Sequence, residues 1–152
     1  MADGLVEVTL SNERNPADAL TQAFARAERS IDAVVYKFSL STIIKALEEA
    51  LDRGVAVRLV VEKKLSDRET DGFTAKLAKN KVGVTVRKWI GDKLHAKFVI
   101  IDDRQVLSGS YNWTKSAEKN TELLLRFDDP ASVARFTNLI KDLWKAADKV
   151  IN

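Results

Sequence analysis

Two short apolar runs on either side of one amphipathic stripe constrain this chain more than any other feature. Ile31 to Phe38 is rich in β-branched and aromatic residues, and Val55 to Val61 is too apolar and too short for a surface helix. Both read as strands. Between them Ser41 reads as a helix cap, and Ile43, Ile44, Leu47 and Leu51 recur at helical spacing as far as Gly54. A strand, helix, strand unit of this kind belongs to a layered α/β sheet.

The flanking sequence adds elements of both kinds. Asn15-Pro16 offers a cap followed by proline at the first helical position, with Leu20, Phe24 and Ala27 behind it. Lys63 to Asn80 is polar, with Phe73 and Leu77 as its main apolar anchors, which predicts a loop and then a short helix. Val82, Val84 and Val86 alternate as a strand, and Lys97 to Ile101 is apolar on both faces, which predicts a central one. A turn at Asp102-Asp103-Arg104, strands over Gln105 to Gly109 and Glu122 to Phe127, and a helix after Pro130 carrying Val133, Phe136, Ile140 and Leu143 complete the chain. The expected fold is α/β, a mixed β-sheet flanked by helices on both faces. At 152 residues the chain has the usual size of one domain, so residues 1–152 are expected to form a single unit.

Composition narrows the chemistry. The longest apolar run, Phe98 to Ile101, is far short of the roughly 20 residues that span a bilayer, so stable membrane insertion is not expected. Met1 to Glu7 carries acids where a secretory signal carries a basic segment and an apolar stretch. That leaves the compartment open between the cytoplasm and, after removal of a signal, the periplasm or exterior. With no Cys there are no disulfides, thiolate sites or cysteine nucleophiles, and a single His rules out the usual catalytic zinc shells. The chemistry is expected to be metal-free or carboxylate-based. Net charge is +3, but residues 1–76 carry 11 basic and 13 acidic side chains against 14 and 9 in residues 77–152. The basic second half suits an anionic partner such as nucleic acid or an acidic lipid head group.

The sole histidine opens an unusual string: His95, Lys97 and Asp102, then six residues, then Gly109, Ser110 and Asn112. Lys, Asp, Gly and Ser at four fixed offsets from one His arise by chance with a probability on the order of 10⁻⁵. Alternation along a strand puts His95 and Lys97 on one face and Asp102 on the other, so Asp102 is expected to support rather than react. Ser110 and Asn112 likewise share a face, and the Asn112 amide can donate to a phosphate oxygen. Gly109 leaves room for close approach of a ligand or backbone. Taken singly, each of these residues has an ordinary packing or turn explanation; their joint spacing overrides it. Trp144 and Trp89 read as packing residues, whereas Trp113 directly follows the string and is expected beside it.

This string resembles the HKD signature of the phospholipase D superfamily, a group of phosphodiesterases. Tyr36-Lys37-Phe38 before an amphipathic helix, Gly54-Val55 leading into a strand that ends at Glu62, and Asn120-Thr121-Glu122 are similar to the compact single-signature bacterial endonucleases of that superfamily. The resemblance implies a phospholipase D-like fold and a two-step reaction. One histidine attacks phosphorus to give a covalent phosphohistidine, a second protonates the leaving oxygen, and water completes hydrolysis. Since this chain holds one histidine, the resemblance implies a homodimer with one shared site. His95 is then the nucleophile in one copy and the general acid in the other. Lys97 and Asn112 bind nonbridging oxygens, Ser110 assists, and Glu122 accepts a hydrogen bond from the second ring nitrogen of His95. No metal or other cofactor enters this scheme. Tyr36, Lys37, Lys93, Trp113 and Lys115 are the candidates for substrate contact.

Three functions remain open at this stage. The first is a nuclease of low sequence specificity, because Lys79 to Lys119 holds nine Lys or Arg against four acids and no evident base-reading helix. The second is a phospholipase acting on an acidic lipid such as cardiolipin, against which stands the lack of an exposed apolar or basic amphipathic helix. The third is a nucleic-acid-binding module without turnover. The loop expected over Lys63 to Thr70 is a candidate to shape substrate choice.

Overall fold

The computed structural model describes residues 4–62 and 84–151. Eight strands form one sheet: β1 (Leu5–Leu10), β2 (Ser30–Val35), β3 (Ala56–Glu62), β4 (Val84–Trp89), β5 (Phe98–Ile101), β6 (Gln105–Gly109), β7 (Leu123–Phe127) and β8 (Asp148–Ile151). Their spatial order is β1-β7-β6-β5-β2-β3-β4-β8. The three adjacent strands β2, β3 and β4 run parallel and the other pairings are antiparallel, so the sheet is mixed.

Helices cover both faces. Helices α1 (Pro16–Arg26) and α2 (Ser41–Asp52) bury Leu20, Phe24, Ile43 and Leu47 against Ile31, Ala33, Leu59 and Val99 on one face. Helix α3 (Pro130–Ala146) packs Val133 and Ile140 against Val34, Val60, Phe98 and Ile100 on the other. Consecutive residues of β2, β3 and β5 therefore feed opposite cores, which is why these strands read as near-continuous apolar runs. The exception is Asp32, buried beneath α3, whose carboxylate takes the Arg58 guanidinium of the neighbouring strand through two contacts of 2.5 and 2.8 Å.

Most expected elements are present, with informative differences. The Asn15 side chain accepts from the Ala17 amide at 2.9 Å and Pro16 opens α1. Helix α2 begins differently: Leu40, with extended backbone angles, stands at the cap position and Ser41 is already helical, with no side-chain cap. The amides of Ser39 and Leu40 both donate to the Trp113 carbonyl at 2.9 Å, so this tertiary contact sets the start of the helix. β2 stops at Val35 rather than Phe38, and the chain rejoins only through an isolated bridge between Phe38 and Trp113. Tyr36 and Lys37 are thereby lifted out of the sheet. Trp144 is half-buried at the margin of the α3 core, under the guanidinium of Arg87 at 4.6 Å. β1 and β8, the two edge strands, were not expected. The loop and short helix expected over Lys63 to Asn80, together with Val82, lie outside the described residues.

Candidate functional site

Parallel strands β2 and β3 end side by side, and the chain between β4 and β5 has to cross both ends, because β4 lies beyond β3 and β5 lies beyond β2. His95 and Lys97 ride on that crossing segment, at the carboxyl ends of the strands, where open α/β sheets place their ligands. Tyr36, just past the end of β2, supports the crossing from below. Its ring centroid lies 4.5 Å from that of His95 with the planes inclined by 56°. Three ammonium groups surround the same ring: Lys93, Lys97 and Lys37 stand 5.2, 5.5 and 5.8 Å from its centroid.

These cations set the charge of the imidazole. Lys97, then partial desolvation, then Lys93 and Lys37 lower the His95 pKa below its ordinary value of 6.5. Burial lowers the Lys97 pKa in turn, aided by Lys93 and opposed by Glu122. This lowering favours the uncharged form of the exposed His95 ring, whose lone pair is what a base or nucleophile needs, beside a cluster of lysines. Lys97 Nζ approaches His95 Nδ1 to 3.3 Å. An ammonium can only donate, so this contact makes Nδ1 the acceptor and places the ring proton on Nε2.

The other expected residues come from β6, the turn after it and β7. Ser110 Oγ donates to Glu122 Oε2 and accepts from the Leu123 amide at 3.1 Å. Asn120 Nδ2 donates to Glu122 Oε1 at 3.2 Å. The hydrogen bonds of Glu122 go to Ser110 and Asn120 and the His95 Nδ1 contact goes to Lys97, so the expected Glu122 to His95 hydrogen bond is absent from the described chain. Asn112 is half-buried, and its Oδ1 is enclosed with no hydrogen-bond partner among the described residues. An unpaired acceptor calls for a donor, which a phosphate oxygen is not; the end of this amide suited to an anion is Nδ2.

Two residues of the string hold the backbone in place. Asp102 sits at the opposite end of the sheet, where its carboxylate accepts from the backbone amides of Glu28, Arg29 and Ser30 at 2.9, 2.6 and 3.0 Å. A Cβ on Gly109 would meet the Leu123 carbonyl oxygen at 2.2 Å, so the close approach there is that of backbone. Trp113 does not face a ligand: it is 2% exposed, with Phe24 and Phe38 edge-on at 5.6 Å, and its main chain anchors Lys37 to Leu40 instead. Lys115 is exposed just before the 3₁₀ turn Ser116–Lys119.

Sequence reasoning missed Ser11 and Glu62. Ser11 Oγ accepts from the Glu122 amide at 2.9 Å, and Ser11 is 111 residues away in the chain, so no local signal marks it. Glu62 ends β3 and accepts from the Leu94 amide at 2.6 Å. Its signal was a charged residue closing an otherwise apolar run.

Known proteins are similar to this chain in sequence and fold. The family described as "Cardiolipin synthase, PLD-like domain" matches residues 20–144. The mitochondrial cardiolipin hydrolase of Danio rerio is 31% identical over 134 residues, 85% of this chain and 57% of that protein. The phospholipase D of Rickettsia prowazekii is 35% identical over 112 residues, 72% of this chain and 53% of that protein. The chain thus spans a little over half the length of these two relatives. Among solved structures, the phospholipase D family member Nuc from Salmonella typhimurium superposes with a TM-score of 0.88 at 27% identity, covering 96% of this chain and 97% of that one. NucT from Helicobacter pylori shares the fold, with a TM-score of 0.86 at 22% identity over 95% and 98% of the two chains. With its fold matched over nearly its full length and its sequence matched over most of it, this chain belongs to the phospholipase D-like domain family.

Proposed function

We propose that residues 1–152 form one phosphodiesterase domain that works without a metal ion, as a low-specificity endonuclease on DNA or RNA. The observation that carries this reading is the His95 imidazole, biased toward its neutral form and surrounded by the ammonium groups of Lys97, Lys93 and Lys37. Phosphodiesters resist hydrolysis because the anion repels nucleophiles and the alkoxide leaves poorly; a cluster of cations around a nucleophile answers the first problem. A proton donor answers the second, and with one histidine per chain it comes from a second copy across a homodimer.

In the proposed cycle the phosphate draws the Lys97 ammonium away from Nδ1, which lets the ring proton shift there and frees the Nε2 lone pair. Nε2 attacks phosphorus, the P–O bond to the leaving group breaks, and the His95 of the second copy, which must start this step as the imidazolium, protonates that oxygen and becomes neutral. Water then attacks the phosphohistidine, giving its proton to the second imidazole as the P–N bond breaks. Lys97 and Asn112 hold the nonbridging oxygens, and Glu122 orients Ser110 beside them.

A second reading, a phosphodiesterase of acidic phospholipids, gains support from one feature that the sequence did not suggest. The apolar side chains of Val8, Leu10 and Leu123 are 49%, 37% and 40% exposed, and Leu10 and Leu123 are neighbours beside Glu122. Incubating the protein in EDTA with plasmid, single-stranded DNA, RNA and cardiolipin vesicles separates the readings. Chelator-resistant cleavage of nucleic acid that disappears in His95→Ala is expected. Turnover confined to the vesicles would establish the second reading, and activity abolished by EDTA and restored by divalent ions would overturn both.

A further inference from the structure

The segment that crosses from β4 to β5 gives up ladder hydrogen bonds as it leaves the sheet, so its buried amides need other acceptors. Leu94, between Lys93 and His95, is 6% exposed, and its amide donates to Glu62 Oε2 at 2.6 Å. Glu62 is itself 6% exposed, the last residue of a strand whose preceding residues are Val60 and Val61. A carboxylate is seldom buried so deeply unless a hydrogen bond compensates it, and one accepting from a backbone amide makes a strong, short bond. Glu62 thus fixes the main chain one residue before His95, while Tyr36 fixes the ring.

We propose that Glu62 is a positioning residue for His95: its buried carboxylate grips the Leu94 amide and so sets where the imidazole stands over the ends of β2 and β3. This rests on the phosphodiesterase reading only for its effect on rate. Misplacing a reacting group by about 1 Å costs on the order of 100-fold in rate. Loss of the grip therefore lowers kcat, whereas the lysines that bind the phosphate remain and KM changes little.

The test compares Glu62→Gln, which keeps an acceptor oxygen, with Glu62→Ala and the volume-preserving Glu62→Leu. Steady-state hydrolysis of bis(p-nitrophenyl) phosphate in EDTA, hydrogen exchange at the Leu94 amide and the imidazole nitrogen shifts of the sole histidine are read in each. The expected result is a kcat about 10- to 100-fold lower in the Ala and Leu variants with KM within about threefold, rescue of most of the loss by Gln, and fast Leu94 exchange only where the acceptor is gone. A kcat within about threefold of wild type in a folded Ala or Leu variant, a loss carried by KM alone, or a Gln variant as poor as Ala would overturn it. If the wild type itself turns over no phosphodiester, the functional reading fails separately. The positioning claim is then judged by exchange and nitrogen shifts: Leu94 exchange and His95 shifts unchanged in Glu62→Leu overturn it, and changed ones support it.

Discussion

An ammonium 3.3 Å from Nδ1 makes His95 a poorer proton acceptor than a free imidazole. Lys97 is the largest cause of the lowered His95 pKa, with Lys93 and Lys37 acting in the same direction. The chain has one histidine, so its imidazole protons give a single titration by NMR. That titration is expected below pH 6.5 in the wild type and nearer 6.5 in Lys97→Met, because removing the neighbouring positive charge favours the protonated ring. Because the proposed reaction needs one neutral and one protonated ring, turnover should peak near this midpoint and fall on either side of it. A midpoint unmoved by Lys97→Met would refute the electrostatic account. His95, Lys97 and Asn112 were legible because their spacing, from the segment just before β5 to the turn after β6, is local. Glu62 and Ser11 were not, because each acquires its role only when distant segments meet, across 32 residues in one case and 111 in the other.

Secondary-structure elements reach the site through a support at the far end of the sheet. The turn between β5 and β6 has positive φ at both Asp102 (+54°) and Asp103 (+56°), a region that aspartate tolerates better than most side chains. Asp102 then binds the amides of Glu28, Arg29 and Ser30, while its own carbonyl takes the Arg29 guanidinium at 2.7 Å. This ties the α1 to β2 connection to the β5 to β6 hairpin and so fixes the pairing of the two strands that carry Tyr36 and Lys97 at their other ends. Burial pushes the Asp102 carboxyl up, but the amides of Ser30, Glu28 and Arg29, with the Arg29 charge, outweigh it and hold the group below its ordinary range. Its stabilisation is therefore fully present above the unfolded value of about 3.9 and lost as pH falls through the lower folded value. Asp102→Ala is expected to cost on the order of 3 kcal/mol in urea denaturation while leaving the His95 titration midpoint of the folded protein in place. A loss below about 0.5 kcal/mol would show that the tie is dispensable. The central strands were legible as apolar runs because both their faces are covered. β1 was not, because its alternation is inverted: Thr9 faces the core at 4% exposed, while Val8 at 49% and Leu10 at 37% face out.

At the scale of the whole molecule the chain carries one imidazole, His95, and a cluster of cations around it. Lys37 comes from the acidic first half and Lys93 and Lys97 from the basic second half, so folding concentrates positive charge at the strand ends beyond what either half contributes alone. That concentration lowers the proton affinity of its own histidine, which suits the nucleophile and handicaps the acid. In the proposed homodimer the second ring sits in the same field, so what favours its protonated form is the anionic phosphate bound between the two rings, which offsets the ammonium groups. Mixing wild-type and His95→Asn chains under conditions of subunit exchange tests the shared site. If each dimer holds one site built from two imidazoles, mixed dimers are inactive, and at equal mixing the activity per wild-type chain falls to about half. Sedimentation of the same mixture should show dimers throughout, so that the loss reflects pairing and not dissociation. Activity per wild-type chain that stays constant across all mixing ratios would mean that each copy completes the reaction with His95 alone, and the proton for the leaving oxygen would then have to come from within the chain.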